Sequence, residues 1–204
     1  MTMIDAALLP PLRALLDAPA RALLARGVGA DQVTIAGFCI GMLALPALWL
    51  GWYWVALAFI LLNRLADGLD GVMARKVGPT DRGAFLDIAL DFFFYATVPL
   101  GFALADPGNA LAAAVLICAF IGTGSSFLAF AVIAAKRGMQ AQDYPSKGIY
   151  YLGGITEGAE TISVFILMCL LPAWFVPLAL GFAVACLFTT ILRWLQGWRV
   201  FSEL

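Results

Sequence analysis

The feature that most constrains this chain is a series of apolar runs, each close to twenty residues, recurring along its 204 residues. At about 1.5 Å per residue, such a run can cross a hydrocarbon core roughly 30 Å thick. Lipid offers the backbone no hydrogen-bond partners, so each run must satisfy its own N–H and C=O groups and can only be helical. Composition points the same way: 63% of residues are hydrophobic and 12% charged, with a mean hydropathy of +0.96. Soluble domains carry about twice that charge. The sequence therefore predicts an all-α integral membrane protein with six transmembrane helices, over 33–53, 54–74, 84–104, 109–135, 148–171 and 175–195. There is no long polar linker, low-complexity run or internal repeat, so 1–204 read as a single membrane domain with its six-helix bundle over 33–195. No basic segment followed by a cleavable apolar core opens the chain, so no signal peptide is expected.

Charge placement gives the orientation. With the N-terminus inside, all twelve Lys and Arg residues fall on the cytoplasmic side or in the helical half nearest it. The opposite loops, near Gly51, Asp106 and Pro172, carry none, which is the pattern of the positive-inside rule. Trp49, Trp52, Trp54 and Trp174 then mark the outer interface, and Trp194 and Trp198 the inner one. Between Ala6 and Arg26, leucines alternate with Arg13, Asp17, Arg21 and Arg26 at roughly helical spacing. That segment is too charged to span, so 1–30 are expected to form an amphipathic juxtamembrane helix in the cytoplasmic interface. The expected location is the inner (cytoplasmic) membrane, multi-pass, with both termini inside and no nucleic-acid partner.

Two of these runs contain acids. Asp67, Asp70, Asp87 and Asp91 lie within apolar helix, where an ionisable group costs a few kcal/mol and is kept for function or internal pairing. Four carboxylates cannot pair with one another; they call for a cation. At about 100° per residue, Asp67 and Asp70 share one helix face, and so do Asp87 and Asp91. The short connection Lys76–Arg82 makes the two helices antiparallel neighbours, so the four acids converge at their cytoplasmic ends. The chain has no histidine, and Cys39, Cys118, Cys169 and Cys186 are scattered through the spans without metal-type spacing. All-oxygen donors select Mg²⁺ or Mn²⁺ over zinc or copper. Two such ions could clamp the attacking and leaving oxygens of a phosphoryl-type displacement. Gly68, Gly71 and Gly83 interrupt these helix ends, which fits close approach of a ligand or backbone as well as a helix crossing.

The run Asp67-x-x-Asp70-Gly71-x-x-Ala74-Arg75, followed by Gly83-x-x-x-Asp87-x-x-x-Asp91, resembles the signature of the CDP-alcohol phosphatidyltransferase family. Chain length and six expected spans also resemble that family's core. The spacing between Arg75 and Gly83 is shorter than in many relatives, and Gly78-Pro79 is expected to make a tighter turn there. The resemblance implies that Asp67, Asp70, Asp87 and Asp91 hold two divalent ions, Mg²⁺ or Mn²⁺, against the pyrophosphate of a CDP-linked donor. Asp91 would also be the catalytic base on the acceptor hydroxyl. Gly71, Ala74, Arg75, Thr80 and Gly83 would line the nucleotide pocket. The implied reaction transfers a phosphatidyl group from CDP-diacylglycerol to a small hydroxyl acceptor (a polyol, a polyol phosphate or serine) and releases CMP. Head-group transfer from a CDP-alcohol to diacylglycerol is the alternative within the family, and a homodimer is implied by the same likeness.

The acceptor leaves a fainter trace. Basic residues at the cytoplasmic rim, Arg137 and Lys147 among them, could receive a phosphorylated acceptor, although anionic lipid contact also places basics there. Glu157 lies roughly 15 Å along the fifth span from Lys147, near the roughly 12 Å depth of Asp67. It is expected to face the same cavity, with an ion pair to Arg64 as the competing expectation. Two other classes also place acids in membrane helices. An aromatic prenyltransferase needs a second acidic motif on a distant helix, and a divalent-cation transporter usually shows broken helices or inverted repeats. Neither signal is evident.

Overall fold

The computed structural model describes residues 15–139 and 156–202, and among these every regular element is helical. Helix α1 covers 15–25, α2 Ala30–Met42, α3 Ala44–Trp49, α4 Tyr53–Val77 and α5 Asp81–Ala105. Then come α6, Ala110–Lys136, α7, Gly158–Leu170, and α8, Phe175–Ser202. Single 3₁₀ turns, Pro107–Asn109 and Pro172–Trp174, open α6 and α8. Four stretches are long and apolar enough to cross a membrane: α2 with α3, α5, α6 and α8. The chain is a multi-pass membrane protein. Helix α4 is as long as α5, but Arg64, Asp67, Asp70, Arg75 and Lys76 lower its hydropathy. Only 13 residues of α7 are described, because 148–155 of the expected fifth span, with Lys147 just before it, lie outside the described residues.

The first expected span is not one helix. It breaks at Leu43, between α2 and α3. Pro46 supplies the reason: it has no N–H for the Met42 carbonyl, and its ring crowds that position. The N–H of Leu43 bonds back to the Ile40 carbonyl at 3.1 Å, closing α2 with a tightened turn.

Small residues set how closely the helices approach. A Cβ on Gly37 of α2 would lie 2.4 Å from the Cβ of Ala66 on α4, and one on Gly41 would lie 2.9 Å from Asn63. Gly37-x-x-x-Gly41 is thus a small-residue face that lets two membrane helices touch backbone to side chain. The core away from the acids is aromatic. Phe94, Phe102, Phe165 and Phe175 are fully buried, and Phe102 stacks on Tyr53 and Phe175 with centroids 5.6 and 4.5 Å apart. At the opposite end α1 packs Leu16 and Ala20 against Val72 and Met73 of α4. Its Asp17 pairs with Lys76 of α4 and with Arg21. Residues 1–14 of the expected amphipathic segment lie outside the described residues.

Candidate active site

The turn between α4 and α5 is short and held by its own chemistry. Gly78 adopts φ 97°, a left-handed conformation that glycine accepts without strain. Thr80 caps α5, its hydroxyl oxygen accepting the Gly83 N–H at 3.0 Å. Arg82 donates to Asp31 of α2 at 2.6 Å, tying the turn to the start of the first membrane helix. The turn sends α5 back antiparallel to α4. The two acid-bearing helices are not, however, the packed neighbours that the short connection suggested: each packs on α2, which holds them together across the acids. One carboxylate oxygen each from Asp67, Asp87 and Asp91 lies within 4.8 Å of the others. Asp70 stands apart from that triplet. It is buried, and its Oδ2 has no hydrogen-bond partner among the described residues.

All four acids line one pocket. Its walls come from Thr34, Gly37 and Phe38 of α2, Asn63, Arg64, Asp67 and Asp70 of α4, and Asp87, Leu90 and Asp91 of α5. The donors are oxygens throughout, three of them already clustered, and a fourth buried carboxylate oxygen lacks a partner. Such a set fits a hard divalent cation. Asp67, Asp70, Asp87 and Asp91 are the residues that would hold it.

Arg64 is a cation that the structure itself brings to these acids. Its guanidinium pairs with Asp91 (Nη2 to Oδ1 2.5 Å, Nη1 to Oδ2 3.3 Å) and reaches Asp67 Oδ2 at 3.5 Å. Asn63 Oδ1 accepts from Nε and Nη2 at 3.1 and 2.8 Å, and the Tyr95 hydroxyl lies 3.2 Å from Nη1. Asn63 is anchored in turn, its amide donating to the Gly37 carbonyl at 3.1 Å.

Of the residues expected around a nucleotide, Gly71 makes room for Arg75, whose Nη1 would lie 3.4 Å from a Cβ at Gly71. Ala74, Thr80 and Gly83 follow in the same turn region, Thr80 serving as the cap and Gly83 as its donor. The structure does not bring Arg137 to the acids. It donates to the Phe201 carbonyl at 2.8 Å and lies over the Phe201 ring, because the exposed carbonyls at the end of α8 attract a cation. Lys147 lies outside the described residues. Glu157 is buried at the N-terminus of α7, and a Cβ on the next residue, Gly158, would come within 3.5 Å of the Tyr95 hydroxyl.

Sequence reasoning overlooked two contributors to the site and one buried cation. The α2 wall was signalled by Gly37-x-x-x-Gly41, and Tyr95 by its place one turn beyond Asp91. Arg193, a lone basic residue in the last apolar run, is buried on α8 and donates to the Thr123 carbonyl at 2.9 Å. The adjacent Gly124 packs on Phe92, beside Asp91, so Arg193 lies near the depth of the acids.

A family model described as CDP-alcohol phosphatidyltransferase matches residues 28–198. The chain belongs to this family. It is 54% identical over 203 residues to the inner membrane protein YnjF of Escherichia coli, covering 99% of this chain and 98% of that one. Phosphatidylinositol phosphate synthase of Cutibacterium acnes is 40% identical over 110 residues, about half of each chain (52% and 53%). The phosphatidylinositol phosphate synthase of Mycobacterium tuberculosis, solved with CDP-DAG bound, superposes with a TM-score of 0.73 at 23% identity. That superposition covers 91% of this chain and 94% of the other, and the same protein has been solved with manganese and citrate. At that identity the likeness establishes the family fold. The family match over 28–198 replaces the prenyltransferase and transporter alternatives.

Proposed function

We propose that this protein transfers a phosphatidyl group from CDP-diacylglycerol to a small hydroxyl acceptor and releases CMP, with Mg²⁺ or Mn²⁺ held by Asp67, Asp70, Asp87 and Asp91. The observation that carries this reading is the clustered triplet of carboxylates with the unpartnered Asp70 oxygen in the same pocket. When bound, the metal supplies charge stabilisation at the transferring phosphorus. Gly71 leaves space beside Arg75, whose guanidinium would neutralise donor phosphate. Thr80 and Gly83 shape the nucleotide rim. Asp91 would accept the proton of the acceptor hydroxyl, the chain having no histidine to do so. The reading puts the reaction at the inner leaflet, with the site and both termini on the cytoplasmic side and six spans in all. The gathering of Lys and Arg toward the acid-bearing helix ends supports it. The reading includes a homodimer, which the family likeness alone supports.

Among acceptors the reading favours a phosphorylated polyol such as inositol phosphate. Two relatives carry names of that activity, the C. acnes enzyme and the archaetidylinositol phosphate synthase of Pyrococcus horikoshii, 31% identical over 96 residues. Buried Arg193, near the depth of Asp91, is a cation suited to an acceptor phosphate, and Lys147 would add a second at the rim. The test is CMP release from CDP-diacylglycerol across a panel of alcohols and alcohol phosphates, with the lipid product identified by mass. Metal-dependent CMP release and a phosphorylated-polyol lipid are expected. CMP release only from a CDP-alcohol with diacylglycerol would reverse the direction of transfer, and no CMP from any pair would end the proposal.

A further inference from the structure

We infer that Arg64 is a resident counter-ion of the acidic site: it fixes the orientation of Asp91, and its charge competes with the incoming metal ion. The inference rests on the reading of Asp67, Asp70, Asp87 and Asp91 as metal ligands, and it concerns a residue outside the Asp67–Asp91 signature.

All three guanidinium nitrogens of Arg64 are engaged. Asp91 takes two of them, Asp67 shares Nη1, and Asn63 and Tyr95 hold the group from the other side. The Phe94 and Tyr95 rings lie 5.7 and 5.5 Å from its central carbon. This cradle is built across three helices: α5 supplies Tyr95 and Phe94, α4 supplies Asn63, and α2 supplies the Gly37 carbonyl that fixes Asn63. A mobile surface arginine would have none of these anchors. The planar fork of an arginine can satisfy this arrangement, and a lysine ammonium, a single point of charge, cannot reach every partner at once.

Two consequences follow. First, three carboxylate oxygens within 4.8 Å repel one another, and the fixed positive charge offsets part of that repulsion. The same charge must oppose a cation arriving at the same oxygens. Second, Asp91 is gripped through both oxygens, and Tyr95 also donates to its Oδ2 at 3.4 Å. Its carboxylate plane is therefore set before substrate arrives, which is the pre-organisation that a base needs. Arg64 is a positioning residue, acting on the reaction through Asp91.

Charge and geometry can be separated in purified, detergent-solubilised protein without donor, using Mn²⁺ electron paramagnetic resonance to count free and bound ion. Arg64→Gln removes the charge. We expect it to bind Mn²⁺ about ten-fold or more tightly than wild type, from the lost Coulomb repulsion, and to release CMP more slowly because Asp91 is no longer oriented. Arg64→Lys keeps the charge and loses the fork. Its Mn²⁺ affinity should stay close to wild type while turnover falls. A merely structural role would weaken both properties together. Unchanged or weaker Mn²⁺ binding in a folded Arg64→Gln protein overturns the inference alone, and so does normal turnover in Arg64→Lys, which decides the matter if Arg64→Gln does not fold. Failure of the wild-type protein to bind Mn²⁺ overturns the metal reading of the site and the inference with it.

Discussion

Replacing Gly37 with alanine should disable the site whose α2 wall it helps to form. The added methyl carbon would sit 2.4 Å from the Ala66 Cβ, whereas carbon atoms rest about 3.5–4.0 Å apart. Helices α2 and α4 must therefore part or slide by about 1 Å at this crossing, an overpacking that typically costs about 1–3 kcal/mol. The displacement also stretches the bond from Asn63 to the Gly37 carbonyl, now 3.1 Å, beyond useful length. Asn63 holds Arg64, and Arg64 holds Asp91. A shift of about 1 Å in reacting groups can cost about 100-fold in rate. Gly37→Ala should thus lower CMP release by about that factor. Its melting temperature should fall by about 2–4 °C for each kcal/mol lost. Ala66→Gly removes the opposing methyl, so the Gly37→Ala/Ala66→Gly double variant should recover most of the turnover even though a helical glycine costs about 1 kcal/mol of its own. Turnover and melting are read on the same purified proteins. Wild-type behaviour in Gly37→Ala, or a double variant as inactive as the single one, would refute the proposed coupling from crossing to catalysis.

Three further outcomes are expected. Asp70→Asn and Asp87→Asn should each lower CMP release by at least about 100-fold, as loss of a charge-stabilising group does. Their metal-free melting temperatures should hold or rise, since each removes a charge from a crowded acidic site; near-normal turnover in both would defeat the metal assignment. Asp17 on α1 is held below the ordinary carboxylate value of 3.8, first by its hydrogen bond from Lys76 and then by the charge of Arg21. A lowered folded pKa stabilises above the unfolded value and is lost as pH falls through the folded one, so docking of α1 on α4 should be constant above about pH 4. It should loosen in acid below that, seen as faster amide exchange over 15–25, and Asp17→Asn should abolish the pH dependence. Glu157→Gln should raise the acceptor KM by about ten-fold or more, the worth of a charged hydrogen bond, and leave donor KM unchanged. A drop in melting temperature with acceptor KM intact would make Glu157 purely structural.

What this sequence determined by itself was whatever local physics dictates. Apolar runs must be helical in lipid, and Gly78 and Thr80 end one helix and start the next. The spacing of Asp67 with Asp70 and of Asp87 with Asp91 sets each pair on one face, and the tight turn sends the second helix back toward the first. Packing of both on α2 then closes one pocket around the four. Even the break at Leu43 was written locally, in Pro46, though a reading by hydropathy passes over it. The tertiary structure decided how the helices rotate and cross, because that depends on contacts between residues far apart in the chain. That Gly37 and Gly41 make a helix crossing shows only once Ala66 and Asn63 are placed against them. Only three dimensions show that Asp70 is separate from the other three acids, that Arg137 serves the end of α8, and that Arg193 is buried. The same holds for Arg64. Its charge could have met any acid within reach, and the choice of Asp91 and Asp67 was made by Asn63, Tyr95 and the α2 backbone, which leave the guanidinium a single direction to point.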